Sequence, residues 1–545
     1  MASLRPLEPD TIIHGANIHT LSPANPTARA LAIKDGIILA VGPDEALLQL
    51  AGDHTQLIDL GGRTVVPGLI DSHHHLLEVG LKLSMIRLDE CASPEDMAQL
   101  VRERAASAPP GTWLVGQGWN EGNFADGRLP VLADIDAATR DHPVVLMRFF
   151  NTDLVNSKAL ELAGITAATP DPDGGRIERA ADGRPNGLLR GAAKTLVRRL
   201  LPRPSVPEMR AALRLACAEA LSFGITSVIE PGLYPDEIRA YQEARRHGEL
   251  SVRVNLMPNW HGFRDEESEA QLDARAAELG AQSGLGDDWL RLGALKMAVD
   301  GGTSPHTAYM YEPYEGESEV TAMLRLPVDK LQRYLETAQR LGWDVGVHCC
   351  GDRAQDVTVR ALDAAMAKVP RPDVRHSIIH AYFPTAESLR LMAANRIAAV
   401  IQPTFLHWEG RLIFRDVGYD RAQNYKPARK YLDAGVPLAS SSDVTSTVSA
   451  NPFAAMESLV TRANRQGDLI APTEAITAGE ALASYTAAGA WLSREEDRKG
   501  SLEPGKLADL VVLSDDLLTV SPQKIRTVEA VMTMVGGRVL YNRLT

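Results

Sequence analysis

Cysteine is scarce in this chain, with four residues in 545. That is too few for a disulfide framework. Cys349 and Cys350 are adjacent, which matches neither Cys-x-x-Cys ligand spacing nor easy disulfide geometry. No window holds the roughly 18 consecutive apolar residues of a membrane-spanning helix. The opening MASLRPLEPD lacks the basic-then-apolar order of a signal peptide, so the cytoplasm is the expected compartment. Positive charge does not cluster: ARRHGEL and VRRLLPR read as solvated helix faces. With a net charge of -13, nucleic acid and anionic membrane are disfavoured as partners. No Gly-x-Ser-x-Gly elbow is present, which discounts a serine-nucleophile hydrolase. Internal repeats and low-complexity stretches are missing too.

What remains is an ordinary globular composition, 45% apolar and 23% charged, at a length that suits one large enzyme domain with satellites. Residues 11–66 read as short β-strands (TIIHGANIHT, ALAIKDGIILAVG, QLIDLGGRTVV), and the C-terminus repeats the pattern in LADLVVLSDD and VEAVMTMVGGRVLYN. Two β-rich ends around a long middle predict one small sheet domain built from both termini. The middle carries apolar runs of buried-strand length at 65–70, 225–229, 252–257, 292–298, 344–347, 377–380, 398–402 and 437–441. Amphipathic segments such as PVDKLQRYLETAQRLG and TAESLRLMAANR lie between most of them. Eight strands alternating with helices describe a (β/α)8 barrel, an α/β fold. The first-to-second strand gap, with GTWLVGQGWNEGNF, HPVVLMRFF and VNSKALELAGI, is too long for an ordinary βα loop and predicts an inserted subdomain. The expected division is 1–64 and 501–545 for the terminal β-sandwich, 65–500 for the barrel, and about 76–205 for the insertion.

The stretch GLIDSHHHLLEVG sets three histidines directly after the first barrel run. Side chains alternate along a strand, so His73 and His75 share a side and His74 takes the other. His-x-His spacing brings two imidazole nitrogens within reach of one ion. A barrel enzyme places its site at the carboxyl ends of several strands. Those positions hold His73 and His75 after the first strand, Lys296 in the fourth and His348 after the fifth. His380 ends the sixth, and Asp443 follows the eighth. Taken singly, a strand-end histidine is usually a satisfied structural residue, and Asp443 could be a turn or cap residue. A lysine inside the apolar ALKMAV must be neutralised or modified to stay there. Together the six point to a metal centre.

These residues in this order resemble the amidohydrolase superfamily. GWNEGNF, VNSKALELAGI, HCCGDRA, AGVPLASSSD and SYTAAGAWLSREEDRKGSLEPGKLADLVVL resemble its family 3 branch, the YtcJ-like hydrolases related to N-substituted formamide deformylases. The resemblance covers almost the whole chain. It implies a metal-bearing (β/α)8 barrel with a β-sandwich from both termini. It further implies one metal on His73, His75 and Asp443, a second on His348 and His380, and a carboxylated Lys296 bridging the two. Zinc is the first expectation, as one or two ions, with manganese, iron and cobalt also suited to these donors. Asp443 would act as general base, then general acid.

Three positions depart from the family pattern. Asn151 stands where relatives carry a histidine, Ile379 where the sixth strand carries a glutamate, and Glu230-Pro231-Gly232 where Asp-Ala-Gly is expected. Trp119, Asn120, Glu121, Phe124, Asn151, Asp153, His306, Tyr309 and Arg353 are the candidate substrate contacts. Trp119 and Tyr309 would be aromatic walls and Arg353 a carboxylate clamp. Asp352 with Arg353 as an internal ion pair is the structural alternative. The expected activity is hydrolysis of an amide or N-formyl C–N bond in a small, partly apolar molecule. The alternatives are ester or lactone hydrolysis, a metal-assisted lyase or isomerase step, or a non-catalytic metal- or ligand-binding relative. The expected partners are a small-molecule substrate and a second copy of the chain in a homodimer.

Overall fold

The computed structural model describes residues 8–544 apart from 125–126, 149–151, 262–273, 275–279, 321 and 445–448. The chain divides into two compact units, Met1–Leu76 with Ala216–Thr545, and Leu77–Leu215. The first unit holds the barrel. Its strands are β1 (Leu69–Asp71), β2 (Ile225–Leu233), β3 (Arg253–His261), β4 (Leu295–Ala298), β5 (Val345–Cys349), β6 (Ser377–His380), β7 (Ala398–Ile401) and β8 (Leu438–Ser440). Each runs parallel to the next. Ser72 N donates to Ser440 O at 3.2 Å across the seam between the last strand and the first. Parallel strands covered on both faces need near-continuous apolar sequence, as AAVI in β7 shows. Ile229, Met257, Ile379, Val400 and Ala439 fill the interior together. Ile379 is therefore a core residue here. The surrounding helices bury one stripe each: Val328–Arg340 buries Leu331, Leu335, Ala338 and Gln339.

The first predicted run, 65–70, proves to be two strands. Thr64–Pro67 pairs with Leu510–Leu513 and Asn17–His19 in the terminal sheet, and only Leu69–Asp71 enters the barrel. Gly68 makes the transfer possible. A Cβ there would lie 2.2 Å from Thr226 Oγ1, so only glycine fits where the chain changes sheets. The fourth run also divides, into Leu290–Leu292 and β4, around Gly293, where a Cβ would meet Asn255 Oδ1 at 1.7 Å. Hydrophobic pattern cannot see either break.

Both termini build the satellite. A six-stranded sheet combines Asn17–His19, Thr27–Ala28 and Thr64–Pro67 with Leu510–Leu513, Ala530–Val535 and Arg538–Asn542. A four-stranded sheet of Thr11–His14, Ala30–Lys34, Ile37–Gly42 and Gln56–Asp59 packs on it through Ile13, Leu31, Ile33, Val65, Val512 and Met534. The buried Arg253 guanidinium on β3 donates to Asp509 at 2.6 and 2.9 Å, tying sandwich to barrel.

The second unit is a six-stranded mixed sheet with a core on each face. Period two explains the division: Leu146, Leu154 and Leu188 face one cluster, while their neighbours Val145, Val155 and Leu189 face the other. Among the described residues, no helix is long and apolar enough to cross a membrane.

Candidate metal centre

At the end of β1 the chain turns through Asp71, Ser72 and the three histidines. Asp71 organises this corner. Its Oδ1 accepts from His73 N at 3.2 Å and from Ser442 N at 3.0 Å, and Oδ2 lies 3.1 Å from His74 Nδ1. The carboxylate thus joins the ends of β1 and β8, with Asp443 N donating to His73 O at 2.9 Å to complete the tie. The histidines follow the strand in a turn, not in alternation along it, and there His73 and His75 reach Asp443 while His74 faces Asp71. His73 Nε2 and His75 Nε2 lie 3.6 and 3.3 Å from Asp443 Oδ1. Asp443 has φ of 52°, a left-handed backbone that the two ties hold in place.

Across the barrel mouth, His348 and His380 meet edge to face, with centroids 4.3 Å apart, and His380 lies 5.8 Å from His73. His380 also has positive φ, 77°. Its Nδ1 donates to Gln402 Oε1 at 2.8 Å, leaving Nε2 as the ligating lone pair. Lys296 comes from β4, whose register sets it opposite Gly346, two residues before His348. The structure therefore brings all six strand-end residues to one rim. Donor atoms of His73, His75 and Asp443 lie within 4.8 Å of one another, and so do those of His348, Cys350 and His380.

Electrostatics fit a cation. Burial pushes His73 and His380 well below the ordinary imidazole range and His348 to about 3, with Lys296 opposing their protonation further. Neutral imidazole is the form that ligates metal. Burial also lowers Lys296 to about 8, with the Asp443 carboxylate pulling it back up. His73 Nδ1 is buried without a hydrogen-bond partner. Neutral nitrogens, one carboxylate and a lysine with an accessible free-amine form make a donor set that a divalent ion fits.

The candidate substrate contacts fare differently. Trp119 is fully buried in the second unit's core and donates its indole N–H to Leu146 O, so it is packing, not an exposed wall. Phe124 joins the same core. Glu121 is clamped by the Arg148 guanidinium at 2.6 and 2.7 Å, Asp153 by Arg198 at 2.6 and 2.7 Å, and Asn120 caps a short helical turn. Asn151 lies outside the described residues. In the first unit, His306 stacks on Tyr314 at 4.2 Å, and Glu317 holds its Nδ1 at 2.7 Å. Arg353 lies over the Tyr309 ring at 4.5 Å instead of pairing with Asp352, whose carboxylate accepts the Tyr311 and Arg353 backbone N–H groups. Glu230 is buried, accepts from Leu76 N, and is raised to about 7 by its burial, against the pull of His75 and His74.

Residue reading missed the groups that orient the ligands. Gln402 and Asp71 sit at or beside strand ends, where the barrel rule already looks, but an amide and an extra aspartate carry no motif. Asp300, raised to about 7 by burial, collects the N–H groups of Tyr309, Cys350 and Gly351. Lys426, fully buried, lies 3.6 Å above the Tyr382 ring and 3.4 Å from Gln402 Oε1. Only the fold brings these to the rim.

The amidohydrolase family model matches residues 56–541. The putative amidohydrolase YtcJ of Bacillus subtilis is 30% identical, over 98% of this chain and 99% of its own. The N-substituted formamide deformylase of Arthrobacter pascens is 27% identical, over 98% of each. A crystal structure of an uncharacterized metal-dependent hydrolase from Pyrococcus furiosus superposes with a TM-score of 0.76 at 26% identity, over 93% of this chain and all of that one. A match that runs from the terminal strands through every rim residue leaves one assignment: the chain belongs to the amidohydrolase family and is a metal-dependent hydrolase.

Proposed function

We propose that this chain hydrolyses a carbon–nitrogen bond, of amide or N-formyl type, in a small, partly apolar molecule. The observation that carries the reading is the convergence of His73, His75 and Asp443 beside His348 and His380 at one barrel rim. The deformylase relative supports the choice of bond. A divalent ion held by these donors, zinc first and manganese, iron or cobalt after it, supplies an acidified water and a polarised carbonyl. Asp443 then accepts the water's proton on its carboxylate and returns it to the departing amine. Gln402 keeps the His380 proton on Nδ1 throughout. Lys296 is the proposed carbamate. Its free amine forms an N–C bond to carbon dioxide, releases one proton to solvent, and becomes an anionic ligand in place of a buried cation. The cytoplasm, where four buried free cysteines stay reduced, is the proposed compartment.

Chelation to metal-free protein should abolish cleavage of N-formyl amines and small amides, and zinc, manganese or cobalt should restore it. Full activity in metal-free protein overturns the metal step. An enzyme that cleaves matched esters or lactones but no amide in a paired panel overturns the bond assignment.

A further inference from the structure

His348 and His380 fix their ligating nitrogens in different ways. His348 Nε2 donates to Gly301 O at 3.1 Å. A carbonyl can only accept, so the proton stays on Nε2 and Nδ1 keeps the lone pair. His380 Nδ1 instead faces the side-chain amide of Gln402, at 2.8 Å. An amide can turn over. Flipped, it would present its NH2 to Nδ1, and the proton would move to Nε2, the nitrogen that must stay free to ligate. The oxygen therefore has to be held towards His380. Lys426, in the chain between β7 and β8, is placed to hold it. Its Nζ lies 3.4 Å from Gln402 Oε1, the same oxygen that accepts from His380. An ammonium only donates, so a flipped amide would set NH2 against it. The rings of Tyr382, Phe405 and Tyr425, with centroids 3.6, 4.6 and 5.2 Å from Nζ, favour the charged form although the residue is fully buried. Its backbone is held as firmly. Lys426 has φ of 45°, its N–H donates to Tyr382 O at 2.8 Å, and the buried Arg462 guanidinium donates to Lys426 O at 3.2 Å and Tyr425 O at 2.8 Å. At the other end of the amide, Gln402 Nε2 donates to Ser441 Oγ at 3.1 Å and Val400 O at 3.3 Å. A serine hydroxyl can turn to suit either orientation, whereas an ammonium cannot.

We propose that Lys426 is a positioning residue: it locks Gln402 in the orientation that keeps the His380 proton on Nδ1 and leaves Nε2 free for an ion. This rests on the metal-centre reading above and adds a determinant behind the ligands, with the ligand set, Lys296 included, unchanged. A cation near the ion also repels it through space, so loss of that charge alone would tighten metal binding. Loss of the lock loosens it. The two roles have opposite signs.

Calorimetric titration of metal-free full-length protein with zinc tests this without reference to turnover, on the unaltered chain, Lys426→Met, Gln402→Leu and the double variant. Lys426→Met keeps an unbranched stem among the rings but cannot donate. It should weaken zinc binding by about 10-fold. In the Gln402→Leu background the same substitution should cause no further loss. Equal losses in both backgrounds would assign Lys426 to packing, and unchanged or tighter binding in the single variant would leave it only a through-space field. Either result overturns the proposal. Magnetic resonance of nitrogen-labelled histidine in the metal-free proteins reads the tautomer directly, with the His380 signal identified by its loss in His380→Phe. The proton should sit on Nδ1 in the unaltered protein and in Lys426→Arg, which keeps a donor-only cation, and partly on Nε2 in Lys426→Met. An Nε2 proton in the unaltered protein overturns the proposal even if the methionine variant does not fold. Failure of the unaltered protein to take up zinc, cobalt or manganese overturns the metal centre itself, and the tautomers then still decide for or against Lys426.

Discussion

His348, near the carboxyl end of β5, and His306, in the loop after β4, belong to different chemistry. His348 is surrounded by buried groups of like tendency, and desolvation drives it to about 3. His306 lies in the half-exposed loop after β4, where the Glu317 hydrogen bond first, and Asp416 after it, raise its pKa above the usual value. One imidazole is kept as a neutral lone pair, while the other has its protonated form favoured by the carboxylates beside it. Burial beside the Lys296 cation makes a neutral ligand, and partial exposure beside two carboxylates makes a latch.

The largest effect should come from the carboxylate that serves the neutral set. Asp443→Asn keeps an amide oxygen near His73 and His75 but cannot accept a proton, so kcat should fall at least ~100-fold while metal content persists. Near-normal turnover, measured beside metal stoichiometry, would reduce Asp443 to a turn residue.

Next comes the orienting amide. Gln402→Leu leaves the His380 Nδ1–H buried without its acceptor, so metal affinity should fall by ~10–100-fold. An unchanged dissociation constant by calorimetry would mean that packing alone holds the ring.

His74 is the sharper test of the β1 corner. The sequence places it away from the ion, and it is the natural inert control by that reasoning. The structure gives it a buried bond to Asp71, which in turn anchors His73 and Ser442. His74→Ala should therefore cost about 1–3 kcal/mol in denaturant unfolding while the ion stoichiometry holds. A variant as stable as the parent would show that Asp71 needs no partner there.

The smallest effect belongs to the latch. The folded pKa of His306 is raised, so its contribution is complete below the unfolded value of 6.5 and fades as pH climbs through the folded value. His306→Gln should cost only about 0.5 kcal/mol near pH 6, since the group is exposed, and less above neutrality. Melting temperatures of parent and variant should converge as pH rises, and divergence would reverse the assignment.

Local sequence decided the periodic features. His-x-His spacing singles out His73 and His75, and apolar run length marks the eight barrel strands and the β-rich ends, though not where the first run changes sheets. It also places the six rim residues, because strand ends in a parallel barrel all face one way. Tertiary structure decided everything that depends on register across strands. Pairing of β5 with β6 sets His348 against Ile379 and Cys349 against His380, which brings the two imidazoles of neighbouring strands together at the rim. The loop after β8 hangs on Asp71, 371 residues from Ser442 in sequence. Trp119 looked like a pocket wall because aromatics suit both pockets and cores, and only packing chose the core. Periodicity is a property of one strand, but a ligand cage is a distance between several, and no single strand contains it.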